Sequence, residues 1–157
     1  MLGLLLRAGE ILADTIECRV VGVSDGDTIT VLDSTKTQHK IRLAGIDAPE
    51  SKQAFGQASK KHLSDLVFGR NVALDCAKTD KYRLKVCVVM VDGQDANLAQ
   101  VTGGMAWWYR QYQKEHAAQQ RGAYEAAEAT AKAGRVGLWS EPNPVPPWDW
   151  RHAKREN

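Results

Sequence analysis

The sequence predicts an α+β protein, mainly β, in which five short strands close into a small barrel and three helices pack around it. Three observations carry this prediction. Five runs rich in β-branched residues are separated by polar or glycine-containing turn signals. One helical stretch is inserted after the third run and two more follow the fifth. The chain has 157 residues, enough for one domain with a real core and no need of a metal or disulfide to fold. Strands first, one inserted helix, two more strands, then two helices is an order that a five-stranded OB-fold barrel satisfies.

The elements follow in order. Residues 15–23 are β-branched and partly alternating, and Asp25-Gly26-Asp27 is a turn before a second strand over 28–32. A polar turn over 33–38 leads to a third strand over 40–46. Pro49 stands in a loop approaching a helix over 52–68, where Phe55, Leu63, Leu66 and Val67 recur at helical spacing and Gly69 supplies the stop. Residues 71–76 and 84–91 are the fourth and fifth strands, joined by the polar loop 78–83 and followed by the turn Asp92-Gly93. Asn97 is expected to cap a helix running to about Trp107, and the Ala/Glu/Gln-rich stretch 116–133 is the third helix, ended by Gly134 and Gly137. The tail 142–157 is expected to be non-helical because of its prolines and to lie against the body through Trp148 and Trp150.

Composition excludes several classes. With 25% charged and 43% hydrophobic residues the chain is neither a disordered tail nor collagen-like. It has no run of about 18 or more apolar residues, so no membrane span is expected. The net charge of +2 is too small to imply a polyanion partner, but the first 50 residues are acidic on balance and residues 51–110 basic. That distribution suits a cation-binding pocket beside an anion-binding surface. Of the three cysteines none forms a zinc-type pair. Cys76 and Cys87 flank the 78–83 loop and are expected to face each other across a hairpin, either disulfide-bonded or as small buried hydrophobes; Cys18 is expected to be buried in a strand. Residues 1–13 resemble a truncated leader, which with a disulfide points to export to the periplasm or medium, against a cytoplasmic alternative. The four histidines have no ligand spacing.

The chemistry concentrates in two strand-following loops that hold Asp25 and Asp27, then Asp47 and Glu50. Carboxylates gathered at one barrel rim repel unless a cation joins them, and an all-oxygen donor set suits calcium or magnesium. An EF-hand is excluded: counted from Asp25, Thr30 stands where glycine is required and Lys36 where glutamate is required. Read alone, Asp25-Gly26-Asp27 is equally a simple turn and Glu50 a helix-start residue.

Val23-Ser24-Asp25-Gly26-Asp27-Thr28, then Ile41-Arg42-Leu43-Ala44-Gly45-Ile46-Asp47-Ala48-Pro49-Glu50, with Gly137-Leu138-Trp139-Ser140 near the end, resembles the thermonuclease, or staphylococcal nuclease-like, family over about residues 15–141. The resemblance implies an OB-fold barrel with three helices, and calcium-dependent hydrolysis of DNA and RNA by a monomer. It implies that Asp27, Asp47 and the Ala48 carbonyl hold Ca2+, that Asp25 shapes the metal site, that Glu50 orients or deprotonates the attacking water, and that Arg42 grips the phosphate. Tyr82 and Tyr112 resemble tyrosines near the substrate, and Lys85 is a candidate contact to its backbone. Trp107, Trp108 and Tyr109 are either a base-stacking surface or core packing.

One departure stands out. Aligned without gaps between Tyr82 and Asp92-Gly93, the family's second catalytic arginine falls on Leu84, and Arg83 falls on its glycine. Either the loop is re-registered and Arg83 serves as a catalytic arginine, or the nuclease is impaired. A non-catalytic OB-fold module that binds nucleic acid or protein is the alternative function.

Overall fold

Alternation of apolar and polar residues builds five strands whose inward faces share one core. The computed structural model describes residues 15–157; the leader-like segment 1–13 lies outside them. The strands are β1 (Thr15–Asp25), β2 (Thr28–Leu32), β3 (Gln38–Leu43), β5 (Asn71–Thr79) and β6 (Lys85–Val91), with two-residue strands β4 (Ile46–Asp47), β7 (Gln94–Asp95) and β8 (Trp107–Trp108) beside them. β3-β2-β1-β5-β6 pair antiparallel in that order, and a parallel β3–β6 pairing closes the barrel. Ile29, Val31, Ile41, Leu43, Val72, Leu74, Cys87 and Val89 meet inside it. Each such side chain, fully buried, contributes about 1.5–3 kcal/mol. Cys76 and Cys87 are directly opposite in the β5–β6 register and form a disulfide, while Cys18 is free and buried.

Among the described residues four α-helices pack on the barrel, one more than the sequence predicts: α1 (Gly56–Val67), α2 (Ala96–Thr102), α3 (Ala118–Ala133) and α4 (Pro147–Arg155). α1 sends Leu63 and Val67 into the core. α2 is capped by Asp95, whose side chain accepts from Leu98 N–H at 3.0 Å, and not by Asn97. Asn97 is fully buried and donates to the carbonyls of Ala44 and Cys87 while accepting from Val89 N–H, each at 3.1 Å. It thus satisfies backbone groups at the seam where β3 and β6 close the barrel. α2 stops at Thr102 because Gly103 and Gly104 follow. The expected non-helical tail is corrected by α4: Pro147 sits in its first turn, where a missing N–H costs nothing and the fixed φ suits a helix. The tail does lie against the body. Trp148 stacks on Tyr109 at 4.5 Å between centroids and meets Trp107 edge-on at 5.4 Å.

Candidate active site

The turn between β1 and β2 and the loop after β4 meet because Gly26 lets them touch. A Cβ on Gly26 would lie 1.8 Å from Ser59 Oγ and 2.9 Å from the Ala48 side chain. Gln100 Nε2 holds the Gly26 carbonyl at 2.7 Å from below. Across this contact Asp27 Oδ2 accepts the Ala48 N–H at 2.8 Å, and its Oδ1 accepts the Thr28 hydroxyl at 3.0 Å. Asp25 Oδ1 in turn accepts the Asp27 N–H at 3.1 Å. Burial, with Asp25 and Asp47 nearby, holds the Asp27 carboxyl well above the usual carboxylate range. Burial also raises Asp47, against the opposing pull of the Arg151 guanidinium.

These residues form one end of an open cleft of about 660 Å³ that also holds Glu50, Arg42, Tyr82, Tyr112 and Arg151. The structure therefore brings together Asp25 and Asp27 from one stretch of chain and Arg42, Asp47 and Glu50 from another. Arg42 Nη2 donates to Glu115 Oε2 at 2.5 Å, its Nε lies 3.7 Å from Asp80, and its guanidinium covers the Tyr112 ring at 4.7 Å. Lys78 Nζ reaches the same Glu115 oxygen at 3.0 Å. Tyr82, 70% exposed, stands at the cleft's edge.

Arg83 and Lys85 do not join the cleft lining. Arg83 is exposed in a left-handed conformation, φ 65°, at the tip of the β5–β6 hairpin. There the Asp80 carboxylate accepts the N–H groups of Tyr82 and Leu84 at 2.8 and 2.9 Å. The turn is thus closed on Asp80, with Arg83 in the place that favours glycine. Lys85 lines a separate cavity with Cys18, Ile41 and Leu74. Successive strand residues face opposite ways, so Leu84 falls on the face of Val86, the register partner of Arg42. Trp107 packs edge-on against Trp139 at 4.3 Å, and Trp108 is buried, so both serve packing.

Three participants were not read from the sequence. Glu115 is buried and holds Arg42, Lys78 and, through Oε1, the Gly45 N–H at 2.9 Å. Asp80 closes the hairpin. Arg151, on α4, donates Nη2 to Asp47 Oδ2 at 2.7 Å, and Nη1 to Asp47 Oδ1 at 3.2 Å and Glu50 Oε1 at 2.7 Å. The only signal for Arg151 in the sequence is its place just after the tryptophans that anchor the tail.

Among the described residues no three His, Cys, Asp or Glu side chains converge closely enough to enclose a metal ion. The carboxylates of half-buried Asp27 and buried Asp47, both with elevated proton affinity and with oxygen atoms as the available ligands, nevertheless fit a hard divalent cation that completes its shell with water or phosphate. In this arrangement the positive charge beside Asp47 is the Arg151 guanidinium.

Comparison with known proteins agrees with this geometry. A family model described as staphylococcal nuclease homologue matches residues 40–141. An uncharacterized endonuclease of Haemophilus influenzae is 46% identical over 140 residues, covering 89% of this chain and 75% of the relative. An uncharacterized endonuclease of Escherichia coli O157:H7 is 41% identical over 145 residues, covering 92% and 90%. A micrococcal nuclease of Shigella flexneri is 42% identical over 145 residues, covering 87% and 80%.

Proposed function

The chain belongs to the staphylococcal nuclease family, and from that premise we propose that it is a calcium-dependent nuclease that hydrolyses phosphodiester bonds of DNA and RNA. The observation that carries the reading is the convergence of Asp27, Asp47, Glu50 and Arg42 in one cleft.

Asp27, Asp47 and the Ala48 carbonyl would hold the cation, with Asp25 tuning Asp27 through the Asp27 N–H. When bound, the cation neutralises a phosphate oxygen and lowers the pKa of coordinated water. Glu50 accepts the proton of the attacking water at a carboxylate oxygen. Arg42 donates to the phosphate and stabilises charge that grows in the transition state. Glu115 and Asp80 hold that guanidinium in place. Tyr82 and Tyr112 border the strand being cut. Leu84 cannot donate a hydrogen bond, so the reading includes a rate lower than a hairpin arginine would give. Export of a monomer is part of the proposal, supported by the Cys76–Cys87 disulfide for the compartment. Among the described residues no helix is long and apolar enough to cross a membrane.

The test is cleavage of fluorophore-quencher DNA and RNA oligonucleotides with calcium and with chelator. Wild type should cut only with calcium, and Asp47→Asn and Glu50→Gln should each lose at least about 100-fold. Absence of any cation-dependent cleavage by the wild type would overturn the proposal. The alternative, a module that binds nucleic acid or protein without hydrolysis, is favoured by one observation: Arg151 lies on the two carboxylates that hydrolysis requires. Retained oligonucleotide binding with no cleavage is its signature.

A further inference from the structure

The cleft holds a guanidinium brought from the far end of the chain. Arg151 is 104 residues from Asp47 and 101 from Glu50, yet it makes three hydrogen bonds to them. Its approach is built. Pro147 is buried at the first turn of α4 and Trp148 stacks on Tyr109. Gln53 accepts the Glu50 N–H at 3.1 Å and donates to the Val145 carbonyl at 2.5 Å, which ties the chain entering α4 to the loop that carries Glu50. The side chain of Arg151 remains 35% exposed, and it opens into the cleft.

The β5–β6 hairpin places no guanidinium in the cleft lining, since Leu84 is aliphatic and Arg83 is exposed outside that lining. Arg42 is already shared among Glu115, Asp80 and the Tyr112 ring. Two or three of the five N–H donors of Arg151 are covered by the contacts to Asp47 and Glu50, according to whether Nη1 uses one or both of its hydrogens, so donors remain for a ligand. An anionic strand entering beside Asp47 and Glu50 meets this guanidinium at the end of the cleft where the phosphate must lie for Glu50 to deliver water to it.

We infer that Arg151 is a further catalytic residue: it donates to the phosphate under attack, and α4 is the element that delivers it. The inference rests on the nuclease reading above. Asp47 and Glu50 hold the guanidinium ready in the free protein. Asp47 and Glu50 would release Nη2 to the phosphate if a divalent cation held by Asp47 balanced that carboxylate's charge, with Nη1 kept on Glu50. The carboxylates that prepare Arg151 also compete with the phosphate for it, so it replaces a hairpin arginine only in part.

The test uses the full chain as wild type, Arg151→Gln and Arg151→Lys. Three quantities are read: kcat and KM on single-stranded DNA, affinity for a phosphorothioate-protected oligonucleotide in calcium and in chelator, and melting temperature. Arg151→Gln should lower kcat by at least about tenfold, the smaller part of what one charged donor to a transition state supplies. It should weaken oligonucleotide binding in calcium and leave binding in chelator nearly unchanged. Arg151→Lys, which keeps the charge and loses the fork, should recover part of kcat. A folded Arg151→Gln with wild-type kcat and wild-type affinity overturns the inference while the nuclease reading stands. Equal weakening of binding with and without calcium, with kcat unchanged, also overturns it and leaves Arg151 a structural clamp. A wild type that never cleaves strikes the nuclease reading itself, and the inference with it. If Arg151→Gln does not fold, Arg151→Lys decides: full wild-type kcat and affinity there reject the inference.

Discussion

Glu115 grips Arg42 through Oε2 at 2.5 Å while its other oxygen takes the Gly45 N–H at 2.9 Å. One buried carboxylate thus fixes the Arg42 guanidinium and pins the turn between β3 and β4. Lys78 adds a second positive charge on the same oxygen. Glu115→Ala leaves two cations and a backbone N–H without their partner. The expected loss is about 2–3 kcal/mol in urea unfolding, below the usual cost of breaking a fully buried pair because Lys78 and Arg42 reach solvent. It should also raise KM for oligonucleotides. A change under about 0.5 kcal/mol rejects the role.

Cys76 and Cys87 close a loop with a sequence separation of 11. A cross-link of that span limits the unfolded chain and stabilises by about 2–3 kcal/mol. The paired Cys76→Ser, Cys87→Ser variant should therefore melt lower, and reductant should lower wild type to match. Thiol counting in denaturant should find one free thiol without reductant, that of Cys18. Three free thiols would rule the bond out.

His116 is buried, stacks on Tyr124 at 3.9 Å, and places Nε2 2.8 Å from the Ala44 carbonyl. Burial pushes its pKa below the ordinary imidazole value, with only partial compensation by the Ala44 carbonyl. The unfolded chain then binds this proton at higher pH than the folded one. Stability from a neutral buried imidazole is present above about pH 6.5 and falls as pH drops below it, by at most about 1.4 kcal/mol per pH unit. Melting temperature should decline between about pH 7 and 5, and His116→Gln should flatten that slope. An equal slope in the variant assigns the pH dependence elsewhere.

Much of this was legible locally. Ile29 and Val31 in 28–32, and Val72 and Leu74 in 71–74, stand at alternate positions and read as strands because each such strand buries one face. Asp27, Asp47, Glu50 and Arg42 stood out because two loops carried the charge that a cation and a phosphate need. Asn97 and Asp95 are both good caps by type, and only the barrel seam decides that Asn97 is spent on Ala44 and Cys87. Glu115 and Arg151 were not legible at all. Their partners lie 70 residues or more away in the chain, at Gly45 and at Asp47. The prolines at 146 and 147 stopped a helix from being read in the tail, although at its first turn proline favours one.

If Asp27 and Asp47 hold calcium as proposed, calcium should raise the melting temperature of the wild type, since a ligand that binds only the native state stabilises it. Asp27→Asn and Asp47→Asn should each abolish that rise. Asp47→Asn should also loosen α4, since Arg151 loses one of its two carboxylate partners. Calorimetry that shows no calcium binding, with oligonucleotide present and absent, would exclude the cation site.

Leu84 gives the most direct test of what the hairpin lacks. It directly precedes β6, two residues before Val86, and Val86 pairs with Arg42, so strand alternation would send an arginine at 84 toward the Arg42 side of the sheet. Leu84→Arg should raise the cleavage rate by about tenfold or more in Arg151→Gln, where the cleft has lost its tail-borne donor. In the wild type the gain should be smaller, because Arg151 already supplies part of it. Calcium affinity should stay unchanged in both, since the new group binds phosphate and not metal. Arg83→Ala should leave the rate near wild type, because Arg83 is exposed at the turn and outside the cleft lining. The opposite outcome, in which Arg83→Ala abolishes cleavage and Leu84→Arg changes nothing, would mean that the hairpin shifts register on substrate and brings Arg83 to the phosphate.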